Sequence, residues 1–200
     1  MSKYPPPNPP VIDGTPAKHS GEDNMPVTRI VIHSAVMPCE PGRAKQLGQM
    51  NSKGTGGGSW HYAVDPKATF QCSYDRFVCW HAPPNDHSIG IEMADYPKPW
   101  PTSKPKGWWA TLTRRWRWNS NNHKLMLDRT AKLTAELCLA YTLPVVFLSP
   151  ADLKAGKKGI TTHANVSKAF GQSTHWDPGA WPKGKFMRLV RDYVKQIRKD

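Results

Sequence analysis

The sequence predicts an α/β fold in which a central mixed β-sheet is flanked by helices within a single domain. Two apolar, β-branched runs, VTRIVIHSA (27–35) and SIGIEMADY (88–96), are typical of strands buried on both faces of a sheet. Apolar residues recur with a helical period over 122–143 and 183–199, which would give helices able to cover that sheet. A chain of 200 residues that is 38% hydrophobic fits one domain with a sizeable core.

The N-terminal part of the chain divides into an arm and the first elements of the domain. Residues 1–26 are rich in proline and lack a periodic pattern, so we expect an arm or linker there and the folded domain over 27–200. One short helix is expected after Pro41, because proline is favoured near a helix start. The alternation in WHYAVDPKATFQCSYD (60–75) predicts a hairpin.

The C-terminal part combines irregular segments with the two predicted helices. Residues 97–121 form an insertion rich in proline, tryptophan and arginine, with little regular pattern. Pro144 should end the helix before it, because proline cannot continue a helix. We expect residues 149–179 to be mostly loop, since they contain no periodic run.

The net charge of +13 indicates polyanionic surroundings, such as nucleic acid, an anionic membrane surface or an anionic cell wall. No apolar run approaches the ~18 residues that span a bilayer, and the N-terminus lacks the apolar segment of a signal peptide. We therefore expect a protein made soluble, without a signal peptide or membrane insertion. The cluster TRRWRWN (113–119) could bind nucleic acid or an anionic glycan, or could be a solvated basic loop.

The four cysteines include no CxxC pair, which argues against a zinc knuckle or a thioredoxin-like site. Cys72 and Cys79 could face each other across a hairpin. In a chain without a signal peptide, however, reduced thiols are the expectation.

Three residues have the chemistry of a hydrolytic metal site. His33 ends the first buried strand, His163 follows GITT, and Asp177 opens DPG. Imidazoles and carboxylates are zinc ligands, and three of them leave a position open for water. Each residue also has an ordinary interpretation, because a strand-end histidine often bonds locally and an aspartate before Pro-Gly often starts a turn. Spacing alone leaves both interpretations open.

Four motifs occur together in one order: IVIHSA, HYAVDP, WHAPPNDHSIGIE and THANVSKAFGQSTHWDPG. In this ordered set the chain resembles the type 2 family of zinc-dependent N-acetylmuramoyl-L-alanine amidases, which is related to the peptidoglycan recognition proteins. The resemblance covers most of residues 27–180 and is strongest for amidase domains of endolysins from phages of actinobacteria, such as mycobacteriophages. It implies the fold of that family, with 27–200 as the catalytic domain.

The resemblance also implies roles for individual residues. His33, His163 and Asp177 match the ligands of one zinc ion, with Asp177 as the carboxylate variant of a position that is cysteine in many relatives. Glu92 in SIGIE matches the acidic residue that acts on water. His175 lies where relatives often place lysine and is expected to donate to the oxyanion.

By their places in the same motifs, three further residues are expected to contact the substrate: His81, Trp60 and Asn85. Trp60 stands where the T7-like branch of the family has a catalytic tyrosine. Because an indole does not exchange protons, Glu92 must carry more of the proton transfer.

The implied function is hydrolysis of the amide bond between the lactyl group of N-acetylmuramic acid and the L-alanine of the stem peptide, which lyses the host cell wall. The expected partner is peptidoglycan rather than nucleic acid. We expect a monomer that stays in the host cytoplasm until it is released to the wall. The alternatives are a zinc peptidase acting on the stem peptide, disfavoured by SIGIE and HY, and a non-catalytic peptidoglycan-binding module, disfavoured by the intact ligand set.

Overall fold

A computed structural model gives the fold of the protein and describes residues 2–23, 26–95 and 117–199. The strands are β1 (His19–Glu22), β2 (Arg29–Val36), β3 (Tyr62–Val64), β4 (Thr69–Gln71), β5 (Phe77–Cys79), β6 (Ser88–Asp95) and β7 (Gly159–Thr162). The helices are α1 (Arg43–Lys53), α2 (Asn121–Ala140), α3 (Pro150–Lys154), α4 (His163–Phe170) and α5 (Lys183–Ile197), with a 3₁₀ helix at Arg117–Asn119. None of these helices is long and apolar enough to cross a membrane.

The predicted α/β fold is confirmed, because the described residues form one mixed sheet in the order β4-β3-β6-β2-β7 with helices packed on it. β3, β6, β2 and β7 run parallel, whereas β4 pairs antiparallel with β3 at the edge, as the predicted hairpin requires. β1 and β5 form a separate antiparallel pair. β2 and β6 are buried at nearly every position, which agrees with their predominantly apolar sequences.

The sheet separates two apolar layers. On one face, Ile30 and Ile32 of β2 pack in a large cluster with the buried sides of α2 and α5. On the other face, Val31 packs in a smaller cluster with side chains of α3 and α4. Because side chains alternate along a strand, His33 lies on the same face as Val31.

Residues 149–179 are more regular than expected, and the prediction of a mostly irregular segment is wrong. The segment contains α3, β7 and α4. A reciprocal capping box between Ser149 and Asp152 starts α3, and the Thr162 hydroxyl accepts from the backbone N–H of Asn165 at the start of α4. Elements this short do not show a hydrophobic period, so the sequence pattern does not reveal them.

The N-terminal segment is attached to the domain through β1, which pairs with β5, and through a bridge between Val11 and Gln71. The segment 1–26, predicted as an arm or linker from its lack of a periodic pattern, thus contains one strand, His19–Glu22. The domain boundary at residue 27 remains a prediction.

The four cysteines are free in the structure. Cys72 follows β4 and Cys79 lies in β5, and these two strands belong to different sheets. The hairpin that would bring the two thiols face to face is therefore not formed.

Asp95, at the end of β6, is fully buried and anchors the chain where it re-enters the described fold at Arg117. Arg117 donates from Nε and Nη2 to the two carboxylate oxygens, at 2.8 and 2.7 Å, and His123 Nε2 lies 3.1 Å from Oδ1. Trp118 is buried in the main cluster. Trp118 is thus a core residue and Arg117 pairs with a buried carboxylate, which corrects the assignment of these two residues to a solvated or ligand-binding basic loop. Asn119 is exposed, and residues 113–116 of the TRRWRWN cluster lie outside the described residues.

Candidate metal centre and active-site cleft

The strand register places three polar residues side by side on neighbouring parallel strands. β2 and β6 continue three residues beyond His33 and Glu92, so the expectation that His33 ends its strand is wrong. His33 of β2 is directly opposite Glu92 of β6. β7 pairs with β2 as far as Thr162, which is opposite Ile32, so His163 follows immediately at the start of α4. The row Glu92, His33, His163 is therefore a product of sheet pairing, although the three residues are far apart in sequence.

Asp177 reaches this row from the segment between α4 and α5 and lies beside both histidines. Its Oδ2 is 3.3 Å from His33 Nδ1, and its Oδ1 is 3.3 Å from His163 Nδ1. The backbone N–H of Ser34 donates to Asp177 Oδ2 at 3.3 Å. One donor atom from each of His33, His163 and Asp177 lies within 4.8 Å of the others, and all three residues are buried. The group could hold a metal ion.

Burial and mutual contact set the charge states of this group. Burial lowers the pKa of His33 to about 4, although Asp177 acts in the opposite direction. Burial alone would raise the pKa of Asp177, but His163 and His33 outweigh it and hold that pKa below its ordinary range. A neutral imidazole and an ionised carboxylate are the forms in which these side chains bind metals.

Glu92 presents an uncommitted oxygen at the edge of the group. Its Oε1 lies 3.8 Å from His33 Nδ1, whereas its Oε2 is buried without a hydrogen-bond partner among the described residues. Burial, and next the charge of Asp177, raise the pKa of Glu92 well above its ordinary value. A carboxylate with a raised pKa and a free acceptor oxygen is suited to take a proton from water.

His175 lies on the exposed side of the group. Its ring stacks on that of His163, with centroids 4.5 Å apart and planes 6° from parallel, and its Nδ1 lies 3.8 Å from Asp177 Oδ1. Its side chain is 56% exposed. His175 can therefore donate to a molecule in front of the group, although that role remains a prediction.

The group opens into a cleft of about 640 Å³. His81, Trp60 and Asn85 all line this cleft, as residues expected to contact substrate should, and the contact itself remains a prediction. Trp60 is only 7% exposed. The apolar wall of the cleft includes Val36, Met37, Leu47 and Met50.

The N-terminal segment supports one rim of the cleft. Lys18 Nζ donates to the carbonyl oxygen of Gly56, and Trp80 Nε1 donates to Ser20 Oγ, both at 2.7 Å. Gly56 and Trp80 line the cleft, and Trp80 is 46% exposed. Sequence reasoning missed this contribution, because the proline-rich segment carries no motif that would indicate it.

Residues 23–180 match the family described as N-acetylmuramoyl-L-alanine amidase. The chain belongs to this family. Its reaction is the hydrolysis of the amide bond between N-acetylmuramic acid and L-alanine in peptidoglycan. A search of curated proteins gave no match.

Solved structures of three other proteins share the fold of this amidase. The hydrolase AmiA of Staphylococcus aureus is 16% identical with a TM-score of 0.57, over 100% of this chain and 82% of that one. The endolysin amidase LysCS of Clostridium intestinale is 13% identical with a TM-score of 0.57, over 93% and 97%. The catalytic domain of XlyA is 16% identical with a TM-score of 0.54, over 90% and 98%. At these identities the likeness establishes the fold alone.

The motifs did not predict the residues that support the candidate metal group through Ser34. Ser34 Oγ donates to Asp95 Oδ2 at 3.0 Å while the Ser34 backbone holds Asp177. Ser34 thereby links the candidate metal group to the buried pair of Asp95 and Arg117. The sequence contained one signal of this support, because an aspartate that ends the apolar run SIGIEMAD needs buried partners.

Proposed function

We propose that this amidase is zinc-dependent and that His33, His163 and Asp177 hold the ion. The observation that carries the proposal is the donor set, in which two imidazole nitrogens and a carboxylate oxygen are buried within 4.8 Å of one another. Each oxygen of Asp177 faces an imidazole nitrogen at 3.3 Å, so electron-rich atoms converge where a cation would balance them. Such a set suits zinc and leaves a coordination position for water or substrate.

Zinc bound there would supply the Lewis acidity that polarises the scissile carbonyl and makes water more acidic. Glu92 accepts the proton of the attacking water at Oε2 and delivers it to the departing nitrogen of L-alanine. His175 donates to the oxygen that gains negative charge. Trp60 bounds the cleft without transferring protons, since an indole is not a base at ordinary pH.

The chain acts on peptidoglycan, and its net charge of +13 suits an anionic cell wall. We propose further that it is a phage endolysin, which stays in the host cytoplasm until its release and then lyses the wall. It would act as a monomer, without nucleic acid and without insertion into the membrane. The motif resemblance supports the phage assignment.

Digestion of purified peptidoglycan tests the reaction. Mass analysis should find free stem peptides that begin with L-alanine, together with glycan strands that keep an unsubstituted lactyl group. Peptides cleaved internally, with L-alanine still attached to the glycan, would identify a stem-peptide peptidase instead.

Chelation followed by dialysis tests the metal. Activity should disappear on treatment with a chelator and return with zinc. Full activity in a protein shown by elemental analysis to hold no zinc would overturn the metal proposal and leave the bond assignment intact.

A further inference from the structure

A second histidine, His81, contacts His33 at the ring nitrogen that does not face Asp177. His33 Nε2 lies 3.1 Å from Nδ1 of His81, and the two rings are 86° apart in orientation. His33 is 2% exposed and His81 is 6% exposed. Since Nδ1 of His33 faces Asp177 and Nε2 faces His81, both polar atoms of the ring are engaged.

The space for the His81 ring is provided by Gly90 in β6. A Cβ atom at this position would lie 2.7 Å from His81 Cγ and 2.9 Å from His81 Nδ1, which is too close for any side chain. Gly90 lies between Ser88 and Glu92 on the same face of the strand. The ring of His81 is therefore confined between β6 and His33.

The direction of the hydrogen bonds that join Ser88, His81 and His33 follows from the bond between Ser88 and Asn85. Ser88 Oγ lies 2.6 Å from the carbonyl oxygen of Asn85, which has no proton, so the hydroxyl must donate there. Ser88 Oγ then accepts from His81 Nε2, which lies 3.0 Å away. With its proton on Nε2, neutral His81 has a lone pair on Nδ1 and accepts the proton of His33 Nε2.

Asn85 also fixes the backbone from which His81 projects. Its Oδ1 accepts from the N–H groups of His81 and Ala82, at 3.0 and 2.8 Å. Asn85 therefore has two roles. Its side chain holds the backbone of His81 and Ala82, and its backbone carbonyl accepts the proton of the Ser88 hydroxyl.

We propose that His81 is a positioning residue, which holds His33 in the tautomer that carries its proton on Nε2 and offers the Nδ1 lone pair to the ion. This inference rests on the proposed role of His33 as a metal ligand. A ligating histidine usually donates its other ring N–H to a fixed acceptor, and loss of that acceptor costs about 10–100-fold in metal affinity. His163 Nε2 faces Ser173 Oγ at 3.1 Å, but a hydroxyl can donate or accept and does not by itself select a tautomer.

The tautomer of His81 in the parent protein is the first test. Nitrogen-15 labelling of the histidines gives the protonation of each ring nitrogen from its chemical shift. We expect a proton on Nε2 of His81 and none on Nδ1, in both the metal-free and the zinc-loaded protein. A proton on Nδ1 would overturn the proposal, because His81 could not then accept from His33.

Zinc affinity, measured by competition with a chelator, is the second test. His81→Leu removes the acceptor and should weaken zinc binding about 10–100-fold. His81→Asn places an amide oxygen near the position of Nδ1 and should restore most of the affinity. Thermal unfolding of the metal-free variants shows whether both are folded.

Parental affinity in His81→Leu, or an equal loss in the Leu and Asn variants, would overturn the positioning role. Failure of the parent protein to bind zinc would instead overturn the proposed function. The tautomer of His81 would still decide whether the hydrogen bonds run in the direction inferred.

Discussion

Glu92 is a single residue whose proposed role depends on one atom, the buried Oε2 that no described residue engages. Glu92→Gln is nearly isosteric but cannot accept a proton from water. We expect a loss of about 10²–10⁴-fold in kcat on soluble muramyl peptide, with metal content and unfolding temperature unchanged. The exposed Glu40→Gln is the matched control and should retain parental activity. Activity of Glu92→Gln within a few-fold of the parent would assign the base to another residue.

Variants of the two stacked histidines, His163 and His175, should distinguish a role in metal binding from a role in catalysis. His163→Ala removes a proposed ligand that is 5% exposed, and we expect most of the zinc to be lost in elemental analysis after dialysis. His175→Ala removes the exposed ring stacked on it, and this variant should keep its zinc while its kcat falls. Full metal content in His163→Ala would remove that residue from the ligand set.

At the scale of secondary-structure elements, the buried charge of Asp95 ties the end of β6 to the 3₁₀ helix. Burial alone would raise the pKa of Asp95, but hydrogen bonds from His123 and Arg117 outweigh it and hold the pKa below its ordinary value. Because the folded pKa lies below the unfolded one, Asp95 stabilises the fold above the unfolded pKa. That stabilisation is lost as the pH falls through the folded pKa.

Asp95→Asn should therefore destabilise the protein in a pH-dependent way. Near neutral pH we expect a loss of about 3–5 kcal/mol in the free energy of unfolding, because Arg117 loses the buried carboxylate that balances its charge. The difference from the parent should shrink as the pH falls below about 4. Urea unfolding of both proteins across this range measures it. Asp192→Asn, at an exposed position of α5, is the control and should change little; a pH-independent difference for Asp95→Asn would refute the linkage.

At the scale of the whole molecule, the net charge of +13 should govern attachment to the wall. Binding to intact wall should weaken as salt rises, since exposed charges are screened over about 10 Å at 0.1 M salt. Turnover of a small soluble muramyl peptide should change much less, because the reaction takes place inside the cleft. Pull-down with wall and the small-substrate rate, measured side by side, check this expectation.

The location of the wall-binding charge is a separate question. Replacing Arg114 and Arg115 with glutamine removes two charges from the Trp/Arg-rich cluster and spares Arg117, which is committed to Asp95. Replacing the exposed Arg188 and Arg191 of α5 gives a control with the same net charge. We expect the first pair to weaken wall binding at low salt more than the second. Equal losses would mean that total charge, and not the cluster, attracts the wall.

Much of this molecule could be predicted because its longest elements are also its most strongly patterned. The apolar runs of β2 and β6 and the periodic stretches of α2 and α5 specify a covered sheet without any tertiary information. The ordered motifs predicted that His33, His163 and Asp177 act together. The sheet register explains why His33 and His163 are neighbours, and the segment between α4 and α5 brings Asp177 beside them.

The features that escaped prediction depend on distant partners. α3, β7 and α4 are too short for a periodic signal and are specified by caps and by pairing with β2. The partners of Asp95 lie more than 20 residues away in Arg117 and His123. Nothing local in the sequence distinguishes Arg117 from the neighbouring arginines, since only the fold selects it for a buried carboxylate.

The attachment of the N-terminal segment also bears on how this catalytic unit can be transplanted into engineered chimaeras. The family match spans 23–180, yet Lys18 and Ser20 brace the cleft rim from one side of that interval, and Phe186 of α5 is fully buried beyond the other. A fusion cut at the limits of recognisable homology would release Trp80 and strip the apolar cover from α2. Module exchange between lytic enzymes should therefore keep the segment that carries Lys18 and Ser20 and the whole of α5, because residues on both sides of the homologous interval pack on the domain.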